Sequence, residues 1–453
     1  MMLGNKALSA AAVVSSEAGQ TLFIGKMIEG ASPAPTKRTH SFVVPDGVTE
    51  ISAVCVGPGQ HGERSDSSAD GGDGGDLRYA TTLSVTPGET LTVEVGDGSQ
   101  GTTAGVYGDP TKILRGATVL LEASNRAQGS SSTISGAIGG GNGGVAGAPT
   151  STNASGGGGA GGYSGAGGGG EAGNGTDYPP SSGGGGAYGG TLSASTAQPG
   201  GGVGLMGAGP TGSEYYNTGT QNARNAVGSY GYLDPQNGNN CGFGSGGGGN
   251  DSGSGIAVSA GPGACRIVWG NGRSYPSDVA NYLPVPAAAS EIEIRFYGAV
   301  AQQRLCMIDL RDSGNTNFFS GLTAVTGGSS SSFSSISAGQ FTLKSWQTTD
   351  STILALLKTT GRTQNTLFYP PGYSSTGLDP ADYMSLFIKP SSATALKSIT
   401  LTSAYNDREF RDPVAGLAVI ADGVNITKGI ACLRGDYVWD GTYETLAQTI
   451  TFT

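Results

Sequence analysis

The chain has 453 residues, room for two or three domains, and it carries 83 glycines, only 13% charged residues and a net charge of −10. Average glycine usage is about 7%, so the composition is far from ordinary, and the acidic balance argues against a nucleic-acid backbone as partner. Five scattered cysteines (Cys55, Cys241, Cys265, Cys306 and Cys432) show no CxxC spacing, which argues against a disulfide framework or a zinc site.

Buried free thiols are the simplest reading of those cysteines and fit a reducing cytoplasm. No segment approaches the ~18 apolar residues of a membrane span, so membrane insertion is not expected. Lys6 followed by the short apolar run Ala7 to Val14 outlines a weak signal peptide, although Ser15-Ser16-Glu17 is a poor cleavage context.

Along the chain, residues 1 to 37 are small and polar and end in Ala31-Ser-Pro-Ala-Pro-Thr36, which reads as a linker. Residues 38 to 128 read as strands. Ser41 to Gly57 gives two apolar strands around the turn Pro45-Asp46-Gly47, where proline fixes φ and glycine accepts φ > 0. Thr81 to Gly96 repeats the plan around Pro87-Gly88, with Leu83, Val85, Leu91, Val93 and Val95 alternating with polar residues, so that each strand has one buried face. Shorter strands are predicted at Lys112–Leu114 and Ala117–Glu122.

Residues 129 to 263 hold glycine runs at 139–144, 156–162, 165–170, 183–190, 200–204 and 246–249, without the Gly-X-Y period of collagen. Two readings compete. One is a low-complexity segment without fixed structure. The other, which is favoured, is a packed array of extended polyproline-II-like helices. These make no internal hydrogen bonds, and without side chains they can approach closely enough to satisfy one another's backbone groups. Ala264 to Gly270 is then a closing strand that pairs back onto the earlier ones.

From 277 to 453 the composition is ordinary. Glu291–Tyr297, Leu305–Leu310, Thr352–Leu357, Tyr383–Ile388, Ser398–Thr402, Val414–Ile420 and Thr449–Thr453 read as short strands between Ser- and Gly-rich turns. The predicted fold is all-β: a jelly-roll or Greek-key-like sandwich (38–276) with a glycine-rich insertion, then a second β-sandwich (277–453).

Three stretches carry a resemblance. Ser41 to Gly57, Gly71-Gly-Asp-Gly-Gly-Asp-Leu-Arg-Tyr79 with Leu83 to Gly96, and Cys265-Arg-Ile-Val-Trp-Gly-Asn-Gly-Arg-Ser-Tyr-Pro276 together resemble the glycine-rich domain of tailed-bacteriophage tail-fibre and virion structural proteins. More broadly, the chain is similar to the adhesins at the tips of T-even long tail fibres, in which packed glycine helices present variable loops to host receptors. One departure stands out: Gly57-Pro-Gly-Gln-His-Gly-Glu-Arg-Ser65 intervenes where family members run straight into polyglycine.

The resemblance implies a virion surface protein, assembled in the host cytoplasm, that attaches to host polysaccharide or an outer-membrane receptor without catalysis. A purely structural virion component, or a polysaccharide depolymerase, are the alternatives. Residues 1 to 37 would hold it to other virion proteins. The closed symmetry of fibres implies a homo-oligomer, with a trimer as the analogy. No cofactor is implied.

The search for chemistry is brief. His40 and His61 lie in no nucleophile or metal motif, and His61, in a glycine-rich loop, is expected to be exposed. A depolymerase needs two carboxylates; Asp309 with Asp312 and Asp407 with Glu409 are candidates, with surface solvation the default. Asp70, Asp73 and Asp76, spaced by three, fit a solvated turn better than a calcium loop.

Tyr163, Tyr178, Tyr188, Tyr215, Tyr216, Tyr230, Tyr232 and Phe243 lie in or between the glycine runs, where they either wedge glycine layers or contact a ligand. The candidate receptor-binding residues are Tyr215, Tyr216, Tyr230 and Tyr232. Asn217, Gln221, Asn222 and Asn225 lie between them, and their amides can pair with sugar hydroxyls.

Overall fold

The computed structural model describes residues 18–25, 27–28, 37–63, 69–99, 108–125, 138–149, 154–170, 191–193, 196–197, 200–208, 243–244, 246–249, 260–270, 272–277, 281, 283–297, 307–319, 321–325, 332–344, 384–403, 416–432, 437–439 and 444–452. It is all-β, and among the described residues no helix is long and apolar enough to cross a membrane.

The first sandwich has two antiparallel sheets. One runs in the order Gly19–Ile24, Ala264–Trp269, Glu50–Val56, Leu77–Ser84, Ile138–Gly139. The other runs Lys37–Val43, Thr90–Gly96, Thr111–Arg115, Thr118–Ala123. Period-two alternation places Leu91, Val93 and Val95 on the inner face, against Ile51, Ala53, Cys55, Leu83, Cys265 and Ile267 of the first sheet. The opposite face of that first sheet is covered too. Val54, Val56, Ala264 and Val268 sit in a second core with Tyr163, Val203, Leu205 and Phe243. Burial on both faces is why Glu50–Val56 and Ala264–Trp269 read as nearly continuous apolar runs.

The two predicted turns are corners between the sheets. Gly47 and Gly88 take φ of 76° and 79°, and the corners bond to each other, with Val44 N donating to Glu89 O and Gly88 N to Val44 O, both at 2.9 Å. Ala31 to Thr36, which carries the linker reading, lies outside the described residues, but nearer the N-terminus the same segment contributes a strand. Gly19–Ile24 is an edge strand in register with Ala264–Trp269, and its Leu22 and Ile24 are buried. The stretch is short, and only the long-range partner reveals it.

The second sandwich pairs a larger sheet, in the order Thr323–Ala324, Gln340–Lys344, Met384–Lys389, Ile292–Tyr297, Gly416–Ala421, Val424–Asn425 (with Ala431–Cys432 also on Gly416–Ala421), with a sheet in the order Met307–Asp312, Leu396–Ser403, Glu444–Thr451, Tyr437–Trp439. Ile292, Ile294, Phe296, Leu386, Ile388, Leu417 and Val419 meet Leu310, Leu396 and Ile399 in its core. Most expected strands of this block are present; Gln340–Lys344 and Tyr437–Trp439 were not anticipated, and Thr352–Leu357 lies outside the described residues. The same apolar cluster runs on into the first sandwich, and Gln20 N donates to Lys428 O at 3.2 Å across the junction.

Between the strands of the first sandwich the glycine-rich segments form a packed lattice. Gly141, Gly144 and Gly147 donate their N–H to the carbonyls of Gly162, Gly159 and Gly156, at 2.8, 2.7 and 2.9 Å. Ser155, Gly158 and Gly161 donate to Ala69, Gly72 and Gly75 at 3.0, 2.9 and 2.9 Å. Every bond recurs after three residues, the repeat of a polyproline II helix. The first pair of helices is antiparallel and the second parallel. Residues 155–162 form the centre, bonded laterally to 69–75, 141–147, 165–168, Gly201 and 246–249.

Candidate functional site

The lattice grows out of the end of the first sheet. Gly57 follows the Glu50–Val56 strand, Asp76 precedes Leu77–Ser84 and Gly263 precedes Ala264–Trp269. Glu63 N bonds Asp70 O and Gly57 N bonds Asp76 O, so 57–63 rises from the sheet and 69–76 descends to it. Tracing the other bonds in the same way places Glu63, Ala69, Pro149, Ala154, Gly170 and Gly249 towards the end remote from the sheet. Ala208 and Phe243 lie at the near end. Ala208 N donates to Pro276 O at 2.7 Å, and Val203 N to Phe243 O at 3.1 Å.

Only glycine fits the close approaches inside. A Cβ built on Gly72 would overlap the carbonyl oxygen of Gln60, one on Gly144 that of Gly168, and one on Gly158 that of Gly144. The stretch Gly57 to Glu63, the sequence's departure from polyglycine, keeps the lattice. Gly57, Gln60 and Glu63 make the bonds at the three-residue step, and Gly62 sits where a Cβ would meet Gly248 O.

The three aspartates are part of this construction. Asp76 Oδ1 accepts from Gly143 N at 2.8 Å and Asp73 Oδ1 from Ala146 N at 2.7 Å. A side chain repeated every third residue stays on one face of a polyproline II helix, so both carboxylates meet N–H groups of the neighbouring helix at the same step. One turn further, the register sets Asp70 opposite Pro149, which has no N–H to give. Asp70 is exposed, and what burial it has raises its carboxyl. The solvated-turn reading therefore holds for Asp70 alone; Asp76 is fully buried and Asp73 half-buried.

His61 corrects another expectation. It is buried in the lattice, with 1% of its surface exposed. Its Nδ1 lies 2.9 Å from Gly62 O and so carries the donated proton, while Nε2 has no hydrogen-bond partner. Burial holds the imidazole below its ordinary pKa of 6.5, against the smaller opposing effect of the Gly62 contact.

At the sheet end, aromatic side chains wedge the lattice. Tyr163 donates to Gly204 O at 2.9 Å, accepts from Gly207 N, and stacks on Tyr275 with centroids 5.9 Å apart. Tyr275 donates to Leu205 O at 2.6 Å and receives Arg266 Nη1 at 3.3 Å. Burial raises both phenols, Tyr275 to about 12, so both are neutral donors. Arg266, fully buried, also reaches Leu205 O, Gln20 Oε1 and Asn281 Oδ1. The phrase Arg266 to Pro276 is thus a clasp joining sheet, lattice and second sandwich.

Of the expected contact residues, Tyr215, Tyr216, Tyr230 and Tyr232 lie outside the described residues, as do Tyr178, Tyr188 and the amides between the cluster tyrosines. Tyr163 and Phe243 are described, and both are core wedges. Among the carboxylate pairs, Asp312 Oδ1 accepts from Thr316 N at 2.8 Å and closes a turn, while Asp407 and Glu409 lie outside the described residues.

Searches among curated proteins and among solved structures gave no match. A family model for a glycine-rich domain matches residues 35–270, just over half of the chain and the stretch that holds most of the first sandwich and the whole described lattice. The chain belongs to the glycine-rich domain family.

Proposed function

We propose that the protein is a virion surface protein of a tailed bacteriophage, a tail-fibre or adhesin subunit that attaches the particle to the host surface without turnover. The observation that carries the reading is the lattice. Its helices spend their backbone groups on one another and carry mostly glycine, so the construction makes sense as a rigid stem for the connecting segments. Rigid presentation lowers the ordering cost of binding. The contact residues proposed are Tyr215, Tyr216, Tyr230 and Tyr232, whose connection leaves the lattice at Ala208 and returns at Phe243. The partners proposed are host polysaccharide or an outer-membrane receptor on one side and other virion proteins on the other, in a homo-oligomer.

The test is adsorption by particles carrying Tyr215→Ala with Tyr216→Ala. Interface aromatics commonly contribute ~2 kcal/mol or more, so adsorption should fall at least roughly tenfold while the protein stays folded. Normal adsorption would remove the assignment to these tyrosines. Saturable binding to virions with none to host cells would make the protein a structural component instead. Release of reducing ends from host polysaccharide, abolished by one carboxylate replacement, would make it a depolymerase.

A further inference from the structure

Cys55 and Cys265 stand directly opposite each other on adjacent antiparallel strands, Glu50–Val56 and Ala264–Trp269. Both face the interior between the two sheets of the first sandwich, and both are free thiols with no exposed surface.

The ladder on either side fixes what kind of pair this is. Gly57 N bonds Asp76 O, and hydrogen-bonded pairs alternate along an antiparallel ladder, so two residues back Cys55 directs its backbone groups towards Arg78. Likewise Gly25 N bonds Gly263 O, so Cys265 directs its own towards Phe23. Each cysteine turns its N–H and C=O away from the other. They form a non-hydrogen-bonded pair, whose Cα atoms are about 4.5 Å apart and whose side chains lie closest. That separation falls within the roughly 4.4–6.8 Å that a disulfide spans.

We infer that Cys55 and Cys265 are an oxidation site that closes into a cross-strand disulfide when the chain folds in an oxidising environment. The step is a thiol–disulfide exchange with a small-molecule disulfide. One cysteine thiolate attacks it and releases one thiol; the second attacks the mixed disulfide and releases the other. The S–S bond forms, and the two protons and two electrons leave with the small molecule, now two thiols.

The site has a structural meaning. The two residues sit beneath the lattice: Cys55 is one residue before the strand end that leads into the 57–63 lattice segment, and Cys265 is one after the strand start at which the chain returns from the glycine insertion. A bond there ties together the strands Glu50–Val56 and Ala264–Trp269, so the sheet cannot part beneath the lattice. Burial raises the Cys55 thiol, which makes exchange slow once the sandwich is closed. The bond therefore forms while Ala264–Trp269 is still undocking and docking.

The test is to express the full chain in a reducing cytoplasm and in an oxidising secretory compartment. Free thiols in the soluble protein are alkylated under denaturing conditions, and the peptides are mapped. Protein from the oxidising compartment should yield a peptide linking Cys55 to Cys265, lighter than its parts by two hydrogens, with both residues protected from alkylation. Protein from the reducing compartment should be alkylated at both, and Cys265→Val should abolish the link. Soluble protein from the oxidising compartment with Cys55 and Cys265 both alkylated, or joined to other cysteines, would overturn the inference.

Discussion

Asp76 shows how a single residue completes the lattice. Its Oδ1 takes the Gly143 N–H at 2.8 Å in a site without solvent. Asp76→Ala leaves that donor buried and unpaired, which costs about 1–3 kcal/mol. Asp76→Asn keeps an acceptor oxygen and should cost markedly less, a comparison that urea unfolding of the two variants makes directly. His61 offers the second test at this scale. Its folded pKa is depressed, so the unfolded chain binds the proton more readily. Stability from this residue is complete above its unfolded value near 6.5 and falls as pH drops through it. Asp70 works in the opposite sense, because its raised carboxyl favours the fold as pH falls further towards the carboxylate range. Around pH 6.5, the ordinary histidine value and well above the carboxylate range, His61 contributes a slope of this sign. Equilibrium unfolding at several pH values should show stability declining as pH falls through that value, and His61→Gln should flatten the decline.

At the scale of the element, the lattice differs from a sheet in how it tolerates side chains. A strand places alternate residues in free space, whereas each helix inside the lattice is bounded on several sides by backbone. Gly158 lies in the central helix, and an added Cβ meets the Gly144 carbonyl, which belongs to backbone and cannot swing away. Gly158→Ala should therefore cost ~3 kcal/mol or more, at the upper end of overpacking. Gly116, in the turn between Thr111–Arg115 and Thr118–Ala123, has open space around it and only a φ of 57° to resist substitution. Gly116→Ala should cost about 1–2 kcal/mol, the left-handed penalty alone. A reversal of that order in denaturant midpoints would show that the lattice yields. The lattice was legible as a class of structure, because glycine runs without a collagen period leave few ways to satisfy a backbone. Its register was not. The bond partners of 155–162 come from segments far apart in sequence, and no local pattern encodes which segments meet. The period of three in Asp70, Asp73 and Asp76 was a visible signal of helices with three residues per turn, and it becomes readable as capping only once residues 141–147 are set beside it.

For the whole molecule, the sequence divides the chain by composition, and the structure joins what composition separates. The strands of both sandwiches could be read from period-two alternation, as in Leu91, Val93 and Val95. The Gly19–Ile24 strand could not, because its partner lies beyond the whole glycine insertion. Arg266 is the residue on which the joining turns. Its guanidinium reaches Gln20 on the edge strand, Leu205 at the foot of the lattice, Tyr275 in the closing phrase and Asn281 on the way to the second sandwich. Asn281 in turn donates to Cys432 O at 2.6 Å, on the second sandwich's own sheet. Because the apolar cluster continues through this junction, the two sandwiches should unfold together, and calorimetry of the intact chain should show one cooperative transition. Arg266→Met fills the space with an apolar chain but leaves the Gln20 Oε1 and Asn281 Oδ1 acceptors without their donor. A buried acceptor left unpaired costs about 1–3 kcal/mol, and here the loss falls on the contact between units rather than inside either. The variant should therefore melt earlier and in two resolved steps, the lattice-bearing sandwich separately from the C-terminal one. A single transition at the original temperature would mean that apolar packing alone joins them.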